Sequence, residues 1–399
     1  MGLVMAEMKA GYKQTDIGVI PEDWDVSPIK KIAPLQRGFD LPKSQIRSGV
    51  IPVAYSNGVM AYHNQAMVKG PGVYTGRSGT IGRVNYIDSD YWPHNTSLWV
   101  TNFFGNSPKY IYYLYNHIDF SRFSSGSGVP TLNRNDAHDY LCALPKPEEQ
   151  KQIATVLSDV DGLIESLSQL IAKKRDMKTA AMQQLLTGKK RLPGFDGEWN
   201  KRTLGELGDC IIGLTYSPSQ IDESGTLVLR SSNIQNEVLR FDDNVRVVAN
   251  IPEKLMVRQN DILVCVRNGS RALIGKCALI NQSAIGMTFG AFMSVYRSEF
   301  GSFIFYQFQS DVIQEQINKN LGATINQITN KTMRLFEIDF PEDENERNAI
   351  VSILSDMDSE IDALEQRLAK ARSLKTGMMQ ELLTGKTRLN TAKTEGVAA

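Results

Sequence analysis

The sequence predicts an α+β chain made by internal duplication: two α/β domains, each followed by a long helix, with the two helices paired as an antiparallel coiled coil. Three observations lead there. Residues 148–192 and 345–389 align without a gap at a constant shift of 197, with 23 of 45 positions identical. A fixed-period repeat of that quality makes the unit of the fold about half of the 399 residues. Both copies carry an apolar seam at heptad spacing: Ile153, Leu157, Val160, Ile164, Leu167 and Ile171 in the first, and Ile350, Leu354, Met357, Ile361, Leu364 and Leu368 in the second. The stretches between the copies break instead into short β-branched runs between Gly, Asn and Ser turns.

Residues 1–145 form the first domain. Ile51–Ala54, 82–87 and 98–100 read as strands, and 110–122 as helix. Residues 146–192 are the central helix and its linker. Prolines and acidic residues open it (Pro145, Pro147, Glu148, Glu149), and Leu-Leu-Thr-Gly188 closes it, as expected of a helix with an anionic N-terminus and a glycine past its C-terminus. Residues 193–341 are the second domain, with strands at 227–229, 262–266, 277–280 and 292–296 and helix over 300–320. Residues 342–399 hold the distal helix, which ends at Gly385, and a C-terminal tail. Each helix of roughly 40 residues spans ~60 Å. Each is acidic in its first half (Asp159, Asp161, Glu165; Asp356, Asp358, Glu360, Asp362, Glu365) and basic in its second (Lys173, Lys174, Arg175, Lys178; Lys370, Arg372, Lys375). Only antiparallel pairing sets acid against base, so the domains are expected at opposite ends of a rod, as suits a target with two separated half-sites such as DNA.

The domains match at their ends. Ile20-Pro-Glu-Asp-Trp24 opens one and Asp196-Gly-Glu-Trp199 the other; Gly126–Pro145 and Gly322–Pro341 close them over equal lengths. Inside, Arg77-Ser-Gly-Thr-Ile-Gly-Arg83 resembles Arg267-Asn-Gly-Ser-Arg271. Arginine can fork onto guanine or pair with phosphate, and glycine lets backbone N–H groups come close. Arg77, Ser78, Thr80 and Arg83, and Arg267, Asn268 and Arg271, are therefore candidate DNA contacts. Asn and Gln can bond adenine at two atoms, which adds Asn57, Asn133, Asn233, Asn326 and Gln327. Arg230 joins them from Arg230-Ser-Ser-Asn233, which resembles Tyr55-Ser-Asn-Gly58.

Catalytic motifs fail their spacing. Gly269 to Gly275-Lys276 has five intervening residues where a phosphate loop needs four, and Cys277 follows; Gly385-Lys386-Thr387 lacks the earlier glycine. No dinucleotide fingerprint, nucleophile elbow or metal-ligand spacing is present, and the four cysteines (142, 210, 265, 277) form no C-x-x-C pair. Reduced thiols, no signal-peptide core and no long apolar run lead to the expectation of a cytoplasmic, metal-free chain.

In Thr15-Asp-Ile-Gly-Val-Ile-Pro-Glu-Asp-Trp24, in the two acidic helix starts running into their seams, and in the paired Leu185-Leu-Thr-Gly-Lys189 and Leu382-Leu-Thr-Gly-Lys386, the chain resembles the specificity subunit of type I restriction-modification systems over essentially its whole length. The resemblance implies two target-recognition domains, each reading one half of a bipartite double-stranded DNA site. It implies helices that set the spacer and dock two methyltransferase subunits, to which restriction subunits are added. It implies no catalysis and no cofactor here: S-adenosylmethionine, ATP and magnesium fall to the partners. The Arg77 loop resembles the Gly-Arg-x-Gly-x-Ile-Gly element of such domains; the second domain departs from it by inserting Arg271-Ala-Leu. A duplicated coiled-coil scaffold that binds proteins is the alternative, and it predicts no DNA sequence preference; a nuclease predicts metal-dependent turnover by the chain alone.

The net charge of zero divides unevenly: +2 over 1–145, +3 over 146–192, −2 over 193–341 and −3 over 342–399. That is too little on the domains for strong non-specific DNA binding, which fits a reader of bases that leans on partners for its grip on the backbone.

Overall fold

The structure is a computed structural model that describes residues 9–125, 130–321 and 326–389; the Gly126-Ser-Gly128 turn and Gly322 lie outside the described residues. The chain divides into two compact units, residues 1–168 with 366–399 and residues 169–365. Each unit holds one globular segment and half of each long helix.

The same sheet is built twice. In the first unit, Leu35–Arg37, Ser97–Val100, Gly72–Gly76 and Val84–Ile87 lie side by side in that order, every neighbour antiparallel. In the second, Asp209–Ile212, Met293–Arg297, Ile262–Cys265 and Cys277–Leu279 repeat that order and sense. A smaller sheet accompanies each, with one parallel pairing, Ile51–Tyr55 on Trp92–Pro93 and Ile221–Leu229 on Thr288–Phe289. A third pairing ties domain start to domain end: Asp25–Pro28 with Leu141–Leu144, and Trp199–Thr203 with Glu337–Pro341. The helix expected over 110–122 is Pro108–Ile118, its N-terminus capped by the Ser107 hydroxyl. The stretch 300–320 is two helices, Gly301–Gln309 and Asp311–Asn320, because Ser310 is extended between them.

The long helices are Pro147–Leu185 and Glu344–Leu382, 39 residues each. None of the twelve seam residues is exposed. In the first unit, Ile153 and Leu157 share a core with Leu382 and Leu383 and with Trp24, Tyr110 and Phe120. In the second, Met182 and Leu186 share one with Ile350 and Leu354 and with Tyr296, Phe303 and Phe336. The start of one helix therefore packs on the end of the other, which is the antiparallel arrangement. The charges follow: Lys375 pairs with Asp161 in the first unit, and Lys174, Arg175 and Lys178 pair with Glu360, Glu365 and Asp358 in the second. Exposed pairs contribute little, but two are clasped by a tyrosine hydroxyl. Tyr113 donates to Asp161 at 2.7 Å and Tyr306 to Asp358 at 3.0 Å. Each domain thereby sets the register of the helix pair it sits on.

The repeated helix ends have a structural role. Arg388, past the distal helix, donates to Glu149 Oε1 and Oε2 at 3.0 and 2.7 Å, and to both oxygens of Asp23. The buried Trp24 indole N–H donates to the same Glu149 at 3.0 Å. The second unit repeats the lock with Arg191 on Glu346 at 2.6 and 2.8 Å, and Trp199 on Glu346 at 3.0 Å. The glycine before each arginine is left-handed, φ +70° at Gly385 and +65° at Gly188. A Cβ there would lie 2.5 Å from the Pro21 ring or 3.2 Å from the Trp199 ring. Gly188→Ala is expected to cost about 1–2 kcal/mol for the left-handed backbone alone. Gly385→Ala should cost more, since a proline ring cannot swing aside; urea unfolding of the two variants checks the order.

Leu186 closes the central helix on its second-unit side. It is buried, and its carbonyl accepts from Gln307 Nε2 at 2.9 Å.

Candidate nucleic-acid interface

In both units the cationic loop leaves the middle of the main sheet and meets a strap from the end of the domain. In the first unit, Arg77 and Ser78 N–H donate to the Thr96 carbonyl, Leu132 N–H to the Arg77 carbonyl, and Gly79 N–H to the Pro130 carbonyl; Ser78 bridges Thr131. In the second, Val266 and Arg267 N–H donate to the Phe292 carbonyl, Ile328 N–H to the Val266 carbonyl, and Asn268 N–H to the Asn326 carbonyl; Arg267 bridges Gln327. The fold thus gathers Arg77, Ser78, Thr80, Arg83 and Asn133 at one place, and Arg267, Asn268, Asn326 and Gln327 at its equivalent. The turn at Ser56-Asn57 borders the first loop, its Ser56 N–H donating to Thr96 Oγ1 at 3.4 Å; Ser231 borders the second, bonded by Asn268 Nδ2 at 3.3 Å and, through its carbonyl, by Lys276 Nζ at 3.2 Å.

These hydrogen bonds also correct the alignment of the loops. Arg77 corresponds to the buried Val266, and Arg267 stands where Ser78 stands, one residue along. The loops re-align at Gly82 and Gly275, both left-handed at φ +85° and +86°. Five residues separate Gly76 from Gly82 and nine separate Cys265 from Gly275, so the insertion is four residues. It forms a turn, Arg271–Leu273, and Arg271 is tethered by its guanidinium to the Asn318 carbonyl at 3.1 Å. Lys276 then takes the place of Arg83, a basic residue absent from the sequence-derived candidate contacts.

Three further candidates are engaged within the fold. Asn233 is fully buried: its Oδ1 accepts from Arg230 N–H, and its Nδ2 donates to the Arg240 and Asp243 carbonyls. It holds the 230–244 loop closed and is withdrawn as a base contact, since its donors and acceptor are spent on backbone. Arg230 pairs with Asp243 at 2.9 Å. Asn133 caps the helix Arg134–His138 through Oδ1, accepting from Asn135 N–H, and is otherwise exposed. Asn57, Thr80, Arg83, Arg267 and Gln327 are exposed; Arg77 and Ser78 are half-exposed.

The loop and strap segments are themselves basic, with the Asp119 carboxylate lying beside Gly82 of the first. The loop 76–84 with strap 130–135 contains three cations and no acid; the loop 265–277 with strap 326–331 contains four and no acid. The second patch is thus positive on a domain whose net charge is −2. Among the described residues, no three His, Cys, Asp or Glu side chains are grouped to hold a metal. Burial pushes the Cys142 and Cys210 thiols up to about 12, so neither is a thiolate nucleophile at neutral pH.

All four histidines lie in the first unit. Burial holds His94, His117 and His138 below their ordinary 6.5, with Lys386 adding to the effect at His117; the His138 Nε2 lone pair accepts from Leu35 N–H at 2.9 Å. A depressed histidine stabilises the fold fully above the unfolded value and less as pH falls through it, because the unfolded chain takes the proton first. Acidification from pH 7.5 to 5.5 is therefore expected to loosen the first unit selectively, read by amide exchange of peptides from each unit; equal loosening refutes it.

Two like units, each an α/β domain seated on the paired long helices and presenting a cationic loop and strap, make the chain an internally duplicated α+β protein. Residues 21–173 and 196–372 match the model of the type I restriction modification DNA specificity domain, and the chain belongs to that family. It is 25% identical over 287 residues to the type I restriction enzyme MjaVIII specificity subunit of Methanocaldococcus jannaschii, covering 67% of this chain and 66% of that one. With the MjaIX specificity subunit of the same organism it shares 30% over 190 residues, 41% of this chain and 44% of the relative. With the putative MjaX specificity subunit it shares 25% over 425 residues, 95% and 97% of the two. The match thus spans just under two thirds of the first relative and less than half of the second. Among solved structures, the S subunit of a type I restriction-modification system from M. genitalium superposes with TM-score 0.60 at 15% identity, over 93% of this chain and 98% of that one. A chain from a study of type I R-M complex assembly gives 0.55 at 16%, over 92% and 99%. These likenesses establish the fold. No helix among the described residues is long and apolar enough to cross a membrane.

Proposed function

We propose that each unit reads one half of a bipartite double-stranded DNA site, and that the paired helices set the spacer and dock two methyltransferase subunits, which restriction subunits join. S-adenosylmethionine, ATP and magnesium belong to those partners in this reading, and the site of action is the cytoplasm. The observation that carries it is the acid-free cationic loop and strap, built at the same framework position in both units and positive even on the acidic domain. The reading residues are Arg77, Ser78, Thr80, Arg83, Asn57 and Asn133 in one unit and Arg267, Asn268, Lys276, Asn326 and Gln327 in the other, with Arg271 tethered inside the second loop and Arg230 held by Asp243 in the 230–244 loop. The few cations imply modest, salt-dependent backbone binding that the partners complete. Sequencing the methylated sites in cells expressing this chain with its methyltransferase is expected to show two short specified blocks around an unspecified spacer. A continuous motif rejects the proposal.

A further inference from the structure

Phe292 is an aromatic ring 58% exposed at the start of the strand Met293–Arg297. Single exposed apolar residues are ordinary on a protein surface, but this one is held in the middle of the cationic patch. Its carbonyl accepts both Val266 and Arg267 N–H at 3.1 Å, so its backbone is pinned to the root of the loop. The Arg267 guanidinium lies over its ring, 5.0 Å from the centroid, and among the described residues no carboxylate pairs with Arg267. The same two backbone hydrogen bonds in the first unit end on Thr96. There the side chain is a hydroxyl, bonded to His94 Nδ1 at 3.0 Å, with the His94 ring tilted against Tyr55, centroids 4.2 Å apart. One framework position thus carries a polar, internally satisfied group in one unit and a largely exposed aromatic ring under a guanidinium in the other.

A base edge offers few partners for such a face. In the major groove the apolar feature is the C5-methyl of thymine, and phenylalanine is one of the side chains that meets it. A guanidinium held on a ring is ordered in advance while its N–H groups keep their capacity for guanine or phosphate. We propose that Phe292 is a specificity-determining residue of the second unit: its ring takes the methyl group of a thymine beside the base or phosphate bonded by Arg267. The inference rests on the DNA-reading role of the loop and adds a base preference to it.

The test uses the full chain assembled with its methyltransferase subunits, and duplexes carrying the mapped methylation site. Each thymine of the second half-site is replaced in turn by uracil, which removes only the methyl group. One replacement is expected to weaken binding by the wild-type assembly about fourfold, the worth of one buried methyl group, and to leave Phe292→Ala unaffected. Phe292→Leu should retain part of the sensitivity. Because the ring is mostly exposed and the variant keeps the backbone carbonyl that pins the loop, Phe292→Ala should match wild type in thermal unfolding. Equal responses of wild type and Phe292→Ala to every uracil, or a second half-site without thymine, overturns the inference. Arg267→Ala separates the two levels: if it weakens binding while Phe292→Ala does not, the loop reads DNA without the ring; if neither matters, the loop is not the reader.

Discussion

Glu149→Ala is expected to lower the stability of the first unit by about 2–3 kcal/mol. The carboxylate is nearly buried and is the common acceptor of the Trp24 indole and the Arg388 guanidinium. Removing one partner of such a group leaves the others desolvated and unpaired, which costs far more than an exposed pair contributes. Arg388 is partly exposed and keeps Asp23, so solvent recovers some of its loss and the estimate sits below the fully buried range. Trp24 has no such recourse, being wholly buried. Glu149→Gln should fall between, because an amide oxygen can still accept from the indole. The measurement is urea unfolding with amide exchange to locate the change. Protection lost along the start of the central helix and around Trp24, with the second unit unaltered, is the expected pattern. Glu149→Ala as stable as wild type would show that the lock is ornamental.

Arg77→Ala is expected to weaken binding through the first half-site by ~1–3 kcal/mol if the guanidinium forks onto a base, with no change in thermal stability, since among the described residues its side chain makes no hydrogen bond or ion pair that holds the fold. The backbone register sharpens this into a contrast. Val266, the framework counterpart of Arg77, is buried, so Val266→Ala should cost folding stability and leave half-site preference alone. Arg267→Ala should weaken the second half-site and leave the first intact. Competition binding with duplexes mutated in one half at a time reads both effects. A loss confined to the wrong half, or spread evenly over both, would reject the assignment of the loops.

Some features were open to a reader of residues alone because they depend on local repetition. The heptad seams, the acid-to-base gradient along each helix and the Leu-Leu-Thr-Gly ends recur at one shift, and periodicity survives without knowledge of the tertiary fold. The strand Gly72–Gly76 escaped, since five residues bounded by glycine carry too little pattern. The break at Ser310 escaped because 300–320 reads as one continuous helical stretch. At the interface, Arg77 and Arg267 were legible as loop chemistry, but their one-residue offset was not. An insertion of four residues can be placed at several points in a glycine-rich loop, and only the hydrogen bonds to Thr96 and Phe292 decide among them. Asn233 illustrates the converse: an asparagine in a turn looks the same in sequence whether its amide faces solvent or closes a loop from within.

The sequence by itself determined that this protein is a duplication, that its two long helices pair antiparallel, and that each domain carries a basic, glycine-rich loop. These follow from spacing and charge order, which the chain carries along its length. Tertiary structure decided which residues stand equivalent between the loops, which polar side chains remain available to a ligand, and why Trp24, Glu149 and Arg388 recur as Trp199, Glu346 and Arg191. Each of those depends on residues far apart in the chain meeting at hydrogen-bonding distance. Burial and partner geometry, which no single stretch of sequence contains, then set what each side chain can still do.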